Sequence, residues 1–204
     1  MSSTGRLIAD TAVSELLDSL AARTPAPGGG TAAAFAAASA ASLVEMAASF
    51  TLGRDDHSHV HGRMSDVAAR AGRLRAQLVA LAERELHAFE PVLDAIRLPS
   101  EDPERDARVA RALSDAAESP LGIARAAAEV AGLGAEVAAD GTPRLVGDAV
   151  TAALLAESAC VAAGRLVEIN LAGLPASEPR LEEVSALAGA AASGRARALE
   201  AERS

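Results

Sequence analysis

Pro25-Ala-Pro-Gly-Gly-Gly-Thr31, running on into Ala-Ala-Ala-Phe-Ala-Ala-Ala-Ser-Ala-Ala-Ser-Leu-Val-Glu-Met-Ala-Ala-Ser-Phe50, is the stretch whose reading decides the fold. No helix crosses two prolines and three glycines, whereas the residues that follow favour little else, because Ala is the strongest helix former. The segment Thr31 to Phe50 carries one charge, Glu45, and is the length of a membrane span. Ala and Ser dominate it, though, while Leu, Ile, Val and Phe drive insertion, so a core helix of a folded domain is expected and no membrane association.

The same composition extends outward along the chain. Of 204 residues, 53 are Ala and only 3 are Phe; Tyr, Trp and Lys do not occur, so Arg supplies all 19 basic charges. Strands draw on aromatic and β-branched residues, so an all-α fold is expected. Half the residues are hydrophobic, enough apolar surface to offset the ordering entropy, which excludes disorder. Breaker clusters divide the chain into about seven helices in an up-and-down bundle: Leu7–Ala22, Thr31–Thr51, Met64–Ile96, Glu104–Glu118, Leu121–Ala139, Val146–Leu171 and Arg180–Ala201. A single domain, 1–204, follows from the length. Each buried Ala removes little area from water, so an interface-forming homodimer is expected to supplement the core.

Charge and composition also limit function. A net charge of −9 and few aromatics disfavour nucleic acid, which needs basic patches and stacking platforms. The lone Cys160 sits in an apolar run as a small hydrophobe, and Met1 to Asp10 lacks the apolar core of a signal peptide, so a reducing cytoplasmic setting is expected. Asp55-Asp56-His57-Ser58-His59-Val60-His61 gathers three of the four histidines without a metal-ligand frame and is read as a solvated loop, with no metal expected.

Four places could carry chemistry. Gly28, Gly29 and Gly30, after Pro27, allow left-handed backbone or close approach at a helix N-terminus, whose free N–H groups suit an anion or carbonyl; the alternative is a sharp turn with nothing bound. On the third helix Leu74, Leu78, Leu81, Glu85, Phe89 and Val92 recur at helical spacing, which sets Glu85 in an apolar stripe, where an unpaired carboxylate has a raised pKa suited to acid/base work; the alternative is a stripe-edge Glu paired with Arg. Glu83 lies off the stripe, in reach of His87 at i+4. Asp148 opens a helix in register with Leu155, Ala159, Ala162, Leu166 and Ile169, as a site residue or a cap. Asn170 ends that helix.

Taken in order, these motifs resemble one family. Leu16-Leu-Asp-Ser-Leu-Ala21, the Pro25–Thr31 run, Thr51-Leu-Gly-Arg54, Glu83-Arg-Glu-Leu-His-Ala-Phe89, Arg97-Leu-Pro99, Pro120-Leu121, Asp148 and Ile169-Asn-Leu171 together look like the cyclodeaminase/methenyltetrahydrofolate cyclohydrolase family over about residues 13–175. The resemblance implies an all-helical dimer acting on a tetrahydrofolate derivative as substrate, with no cofactor, either as a cyclohydrolase or as a cyclodeaminase that releases ammonia. Glu85 and Asp148 would be the catalytic acid/base pair, and Pro27, Gly28, Gly29, Gly30, Arg54, His57, Arg97 and Asn170 would bind substrate. The chain departs from the family where Asp55-Asp56-His57 replaces a basic run after Gly53-Arg54 and where Glu83 and Glu85 stand for aspartates. These departures motivate two alternatives: a related enzyme acting on a non-folate imine or amidine in a specialised pathway, or a non-catalytic binding module.

Overall fold

The computed structural model describes residues 7–173, 175 and 178–203. Among these it contains eight α-helices and no strand: α1 (Val13–Ala21), α2 (Gly29–Leu52), α3 (His61–Glu85), α4 (Glu90–Ile96), α5 (Arg105–Ala116), α6 (Glu118–Asp140), α7 (Val146–Asn170) and α8 (Pro179–Glu202). The all-α, up-and-down bundle expected from the composition is what the structure has.

Three boundaries differ from the sequence reading. The expected helix from Met64 to Ile96 is two, because Pro91 has no N–H to give and its ring would clash with the His87 carbonyl, so α3 ends at Glu85 and α4 restarts with Pro91 in its first turn. The expected first helix, Leu7–Ala22, is a 3₁₀ turn, Ile8–Asp10, followed by the shorter α1. The loop after Gly53 is itself 3₁₀, Asp55–Val60.

Helix α6 lies at the centre, packed by α2, α3, α7 and α8, while α4 and α5 pack chiefly on each other. Long helices adjacent in the chain run antiparallel. Glu45 lies by Gly72 and Glu85 by Gly30 across α2 and α3, and Gly164 meets Val184 across α7 and α8 while Glu157 meets Arg195. Small residues set how close the axes come. A Cβ on Gly194 would fall 2.7 Å from the Ala131 backbone, so α8 rests on α6 main chain to main chain. Arg forks then tie neighbouring helices at the surface: Arg125 to both oxygens of Glu183 at 2.6 and 2.8 Å, and Arg195 to Glu157 at 2.9 and 3.2 Å. This planar two-point geometry is one Lys does not offer.

Helices α2 and α7 are long and apolar enough to cross a membrane by length and composition. In the bundle each buries one face, Ala34, Ala37, Ala41, Val44 and Ala48 on α2 and Ala149, Ala152, Ala156, Ala163 and Val167 on α7. The stripe expected on α7 is out of phase with this: Leu155 is 37% and Ile169 67% exposed. Apolar residues occur on more than one side of α7, so periodicity alone does not fix its buried face.

Candidate active site

The breaker run Pro25–Gly28, with a cis Ala26–Pro27 bond, delivers the chain to the first turn of α2, where Gly28 is the N-cap in an extended conformation (φ −139°, ψ −154°). None of the three glycines uses the left-handed region. Their value is space, and it is concentrated at Gly30. A Cβ there would lie 1.8 Å from Glu85 Oε2 and 2.5 Å from its Cδ, so the carboxylate of Glu85, the last residue of α3, occupies the place a side chain would take.

Around this contact is a cleft of about 240 Å³ formed by the start of α2, the α3–α4 turn with Phe89, the start of α6 with Pro120, and the end of α7 with Leu166 and Asn170. Among the described residues Glu85 is the sole titratable side chain lining it. Burial raises the Glu85 pKa above the ordinary carboxylate value, and nearby Ser119 partly opposes the rise. Neither Glu85 Oε1 nor Ser119 Oγ makes a hydrogen bond, although both atoms are buried. No ion pair reaches Glu85 among the described residues. The arrangement is an uncompensated carboxyl in an apolar recess, beside backbone N–H groups at a helix start carrying partial positive charge. A second cavity of about 270 Å³, lined by Asp106, Val109, Ala110 and Leu113 of α5, adjoins the first at Asn170.

The expected site residues fall into separate places. Gly28, Gly29, Gly30, Glu85 and Asn170 meet in the cleft. Pro27 precedes it in the turn. Arg54 lines a different cavity, of about 520 Å³, at the opposite end of α2 with Phe50, Thr142 and Arg144. Asp148 lies in the first turn of α7 at that same end. At 1.5 Å per residue, the two ends are about 35 Å apart, so one protomer does not bring Asp148 to Glu85. Arg54 donates to both oxygens of Asp56, at 3.0 and 2.6 Å, and His57 Nδ1 shares Asp56 Oδ1 at 3.0 Å; these contacts hold the Asp56 pKa well below the usual range. Arg97 pairs with Asp94 at the exposed end of α4, away from the cleft. Among the described residues no three His, Cys, Asp or Glu side chains converge as a metal site.

Glu83 corrects one expectation. It accepts the Ile8 N–H at 2.7 Å, holding the N-terminal turn on α3, while His87 pairs with Glu90 at 2.9 Å instead. Sequence reasoning also missed Ser119; its only signal was adjacency to the Pro120-Leu121 helix start.

The family model described as formiminotransferase-cyclodeaminase matches residues 12–193. A methenyltetrahydrofolate cyclohydrolase from Methylorubrum extorquens is 34% identical over 182 residues, 86% of this chain and 88% of that protein. A formimidoyltransferase-cyclodeaminase from Mus musculus is 32% identical over 166 residues, and the match spans only 31% of its length. The crystal structure of formiminotetrahydrofolate cyclodeaminase from Thermotoga maritima superposes with a TM-score of 0.88, at 25% identity and covering 96% of this chain and 98% of that one.

Proposed function

This chain belongs to the formiminotransferase-cyclodeaminase family, and from that premise we propose that it is a folate one-carbon enzyme, a methenyltetrahydrofolate cyclohydrolase, with Glu85 as its acid/base group. The observation that carries the reading is the unpaired Glu85 carboxyl seated on Gly30 in an apolar cleft. The methenyl substrate bears a positive charge shared between N5 and N10. An apolar recess whose one titratable side chain among the described residues is a carboxylate suits such a cation, which in turn favours the ionised carboxylate needed as base. Glu85 takes a proton from water as its oxygen adds to the bridging carbon. The resulting tetrahedral carbon collapses with protonation and departure of N5, which yields the 10-formyl product and leaves one proton for solvent. Water is the second reactant, so the step requires no cofactor. The two adjoining cavities together fall within the usual range for ligands of this size, about 300–1,000 Å³.

A second reaction is supported by the Thermotoga neighbour: attack of N10 on a formimino carbon with loss of ammonia, through the same kind of tetrahedral centre. Two assays separate the readings. Loss of methenyl absorbance on mixing supports the first, methenyl appearance with ammonia release from the formimino compound supports the second, and no binding of a reduced folate at millimolar concentration overturns both in favour of another imine or amidine.

The proposal includes a homodimer. Its support is the outward face of α2 and α7, where no charged residue is exposed between Gly29 and Leu52 or between Ala149 and Gly164, while Phe50, Leu154 and Val161 are 62, 41 and 44% exposed. An uncharged face on which Ser39, Ser42, Ser49, Thr151 and Ser158 alternate with apolar residues suits a partner, and a second copy is the one that matches it in length and charge. A two-fold axis perpendicular to these helices would lay the Arg54 and Asp148 end of one protomer over the Glu85 cleft of the other. Mixing inactive Glu85→Gln with inactive Asp148→Asn then regains up to about a quarter of wild-type activity, since half the dimers are mixed and each holds one intact site. No regain on mixing overturns the shared site.

A further inference from the structure

We propose that Ser119 is the positioning residue for Glu85, its hydroxyl donating to Oε1 in the carboxylate and, more weakly, in the carboxylic acid, so that one oxygen stays fixed while the other takes and returns the proton. This rests on Glu85 being the acid/base group. The register between helices supplies the geometry. Helices α3 and α6 run antiparallel, and at Gly122 an added Cβ would lie 3.1 Å from Leu81 Cδ2. One turn toward the cleft from these two residues, four along α3 and three back along α6, lie Glu85 and Ser119.

Both facing atoms are short of a partner. Glu85 Oε1 and Ser119 Oγ are each buried without a hydrogen bond, a condition a folded protein rarely leaves unrelieved. Rotation of the hydroxyl relieves both at once. Oε2 is not so buried, and it is the oxygen left for substrate. A neutral hydroxyl donates to either form of the carboxyl and more strongly to the charged one, so it lowers the Glu85 pKa without locking the group in its ionised state. A guanidinium in its place would hold the charged form alone and abolish the acid half.

The other charged groups on the packed elements are engaged elsewhere or lie outside. Glu83 accepts from Ile8, His87 pairs with Glu90, Glu118 with Arg180 and Glu168 with Arg165. Arg84 and Asp115 are exposed, and the first charge on α2 is Glu45, far along the helix. Ser119 lowers the Glu85 pKa against the upward push of burial, consistent with the proposed bond.

The test is a carbon-13 titration of the Glu85 carboxyl in the full chain, its resonance identified by its loss in Glu85→Gln. In Ser119→Ala the Glu85 pKa moves up by about one unit, a tenfold smaller ionised fraction on the acid side; Ser119→Thr restores it, and the acid limb of the pH–rate profile moves with it. If Ser119→Ala does not fold, Ser119→Cys, a weaker donor, gives a smaller upward move. The same titration midpoint in wild type and the variant overturns the proposal, as does a rate profile that ignores the shift. The titration needs no turnover, so a chain that shows the coupling but leaves methenyl-folate untouched overturns the folate reading alone.

Discussion

The two ends of the α2/α7 pair are built from similar parts and treat charge in opposite ways. At the start of α2, Glu85 has an apolar enclosure, a glycine beneath it and, among the described residues, no ion-pair partner. At the far end the cavity is twice as large and more open to solvent, yet Arg54, Asp56 and His57 neutralise one another, and Thr51 Oγ1 accepts the Thr142 N–H at 3.0 Å while donating to Ala47 O at 3.0 Å. Cavity size therefore does not locate the chemistry. A carboxyl left uncompensated costs stability and gains reactivity, whereas Arg54, Asp56 and His57, and Thr51 with Thr142, satisfy one another at the far end and tie the chain together.

Substitutions at each end test that contrast. Glu85→Gln should have the largest effect, lowering kcat by about 10²–10⁴, the usual worth of a general acid/base; a loss under threefold in steady-state turnover would remove Glu85 from the mechanism. Gly30→Ala follows. Its methyl displaces the carboxylate, and a shift of about 1 Å costs on the order of a hundredfold in rate, to be measured beside a circular-dichroism melt that shows the bundle intact. Thr51→Val at the far end should reverse the pattern. It orphans a buried N–H, destabilises by about 1–3 kcal/mol in a denaturant titration, and leaves kcat within about twofold.

The smallest effect is on stability at the near end. Because burial raises the Glu85 pKa in the folded state, the protein is relieved of this cost below the unfolded carboxylate value and bears it as pH rises through the folded one. Glu85→Gln removes the charge, so its Tm should exceed wild type by roughly 2 °C at pH 7.5 and match it near pH 4. Equal melting temperatures at both pH values would mean that the carboxyl is not desolvated.

Much of this was legible in the sequence. Leu74, Leu78 and Leu81 placed Glu85 on the buried side of α3 because that helix has a polar face to contrast with, and the glycine run marked the start of α2. The Pro91 break was equally local and signalled by the missing N–H, yet the expected helix ran through it. The family resemblance, carried by short motifs in order, gave Glu85 and Asp148 equal standing. Only the fold separates them by the length of a helix, and only it shows that Glu83 serves Ile8 rather than His87.

By itself, then, the sequence determined that the chain is helical, most of its breaks though not the one before Pro91, and the residue types at the cleft, because propensity and periodicity act within one element. Which atom fills the space above Gly30, which face of a mostly apolar α7 is buried, and which hydroxyl faces Glu85 were decided by tertiary structure. Those relations join residues 55 and 34 positions apart, Gly30 to Glu85 and Glu85 to Ser119, and depend on how closely Ala- and Gly-faced helices approach. That is a property of packing which no single helix encodes.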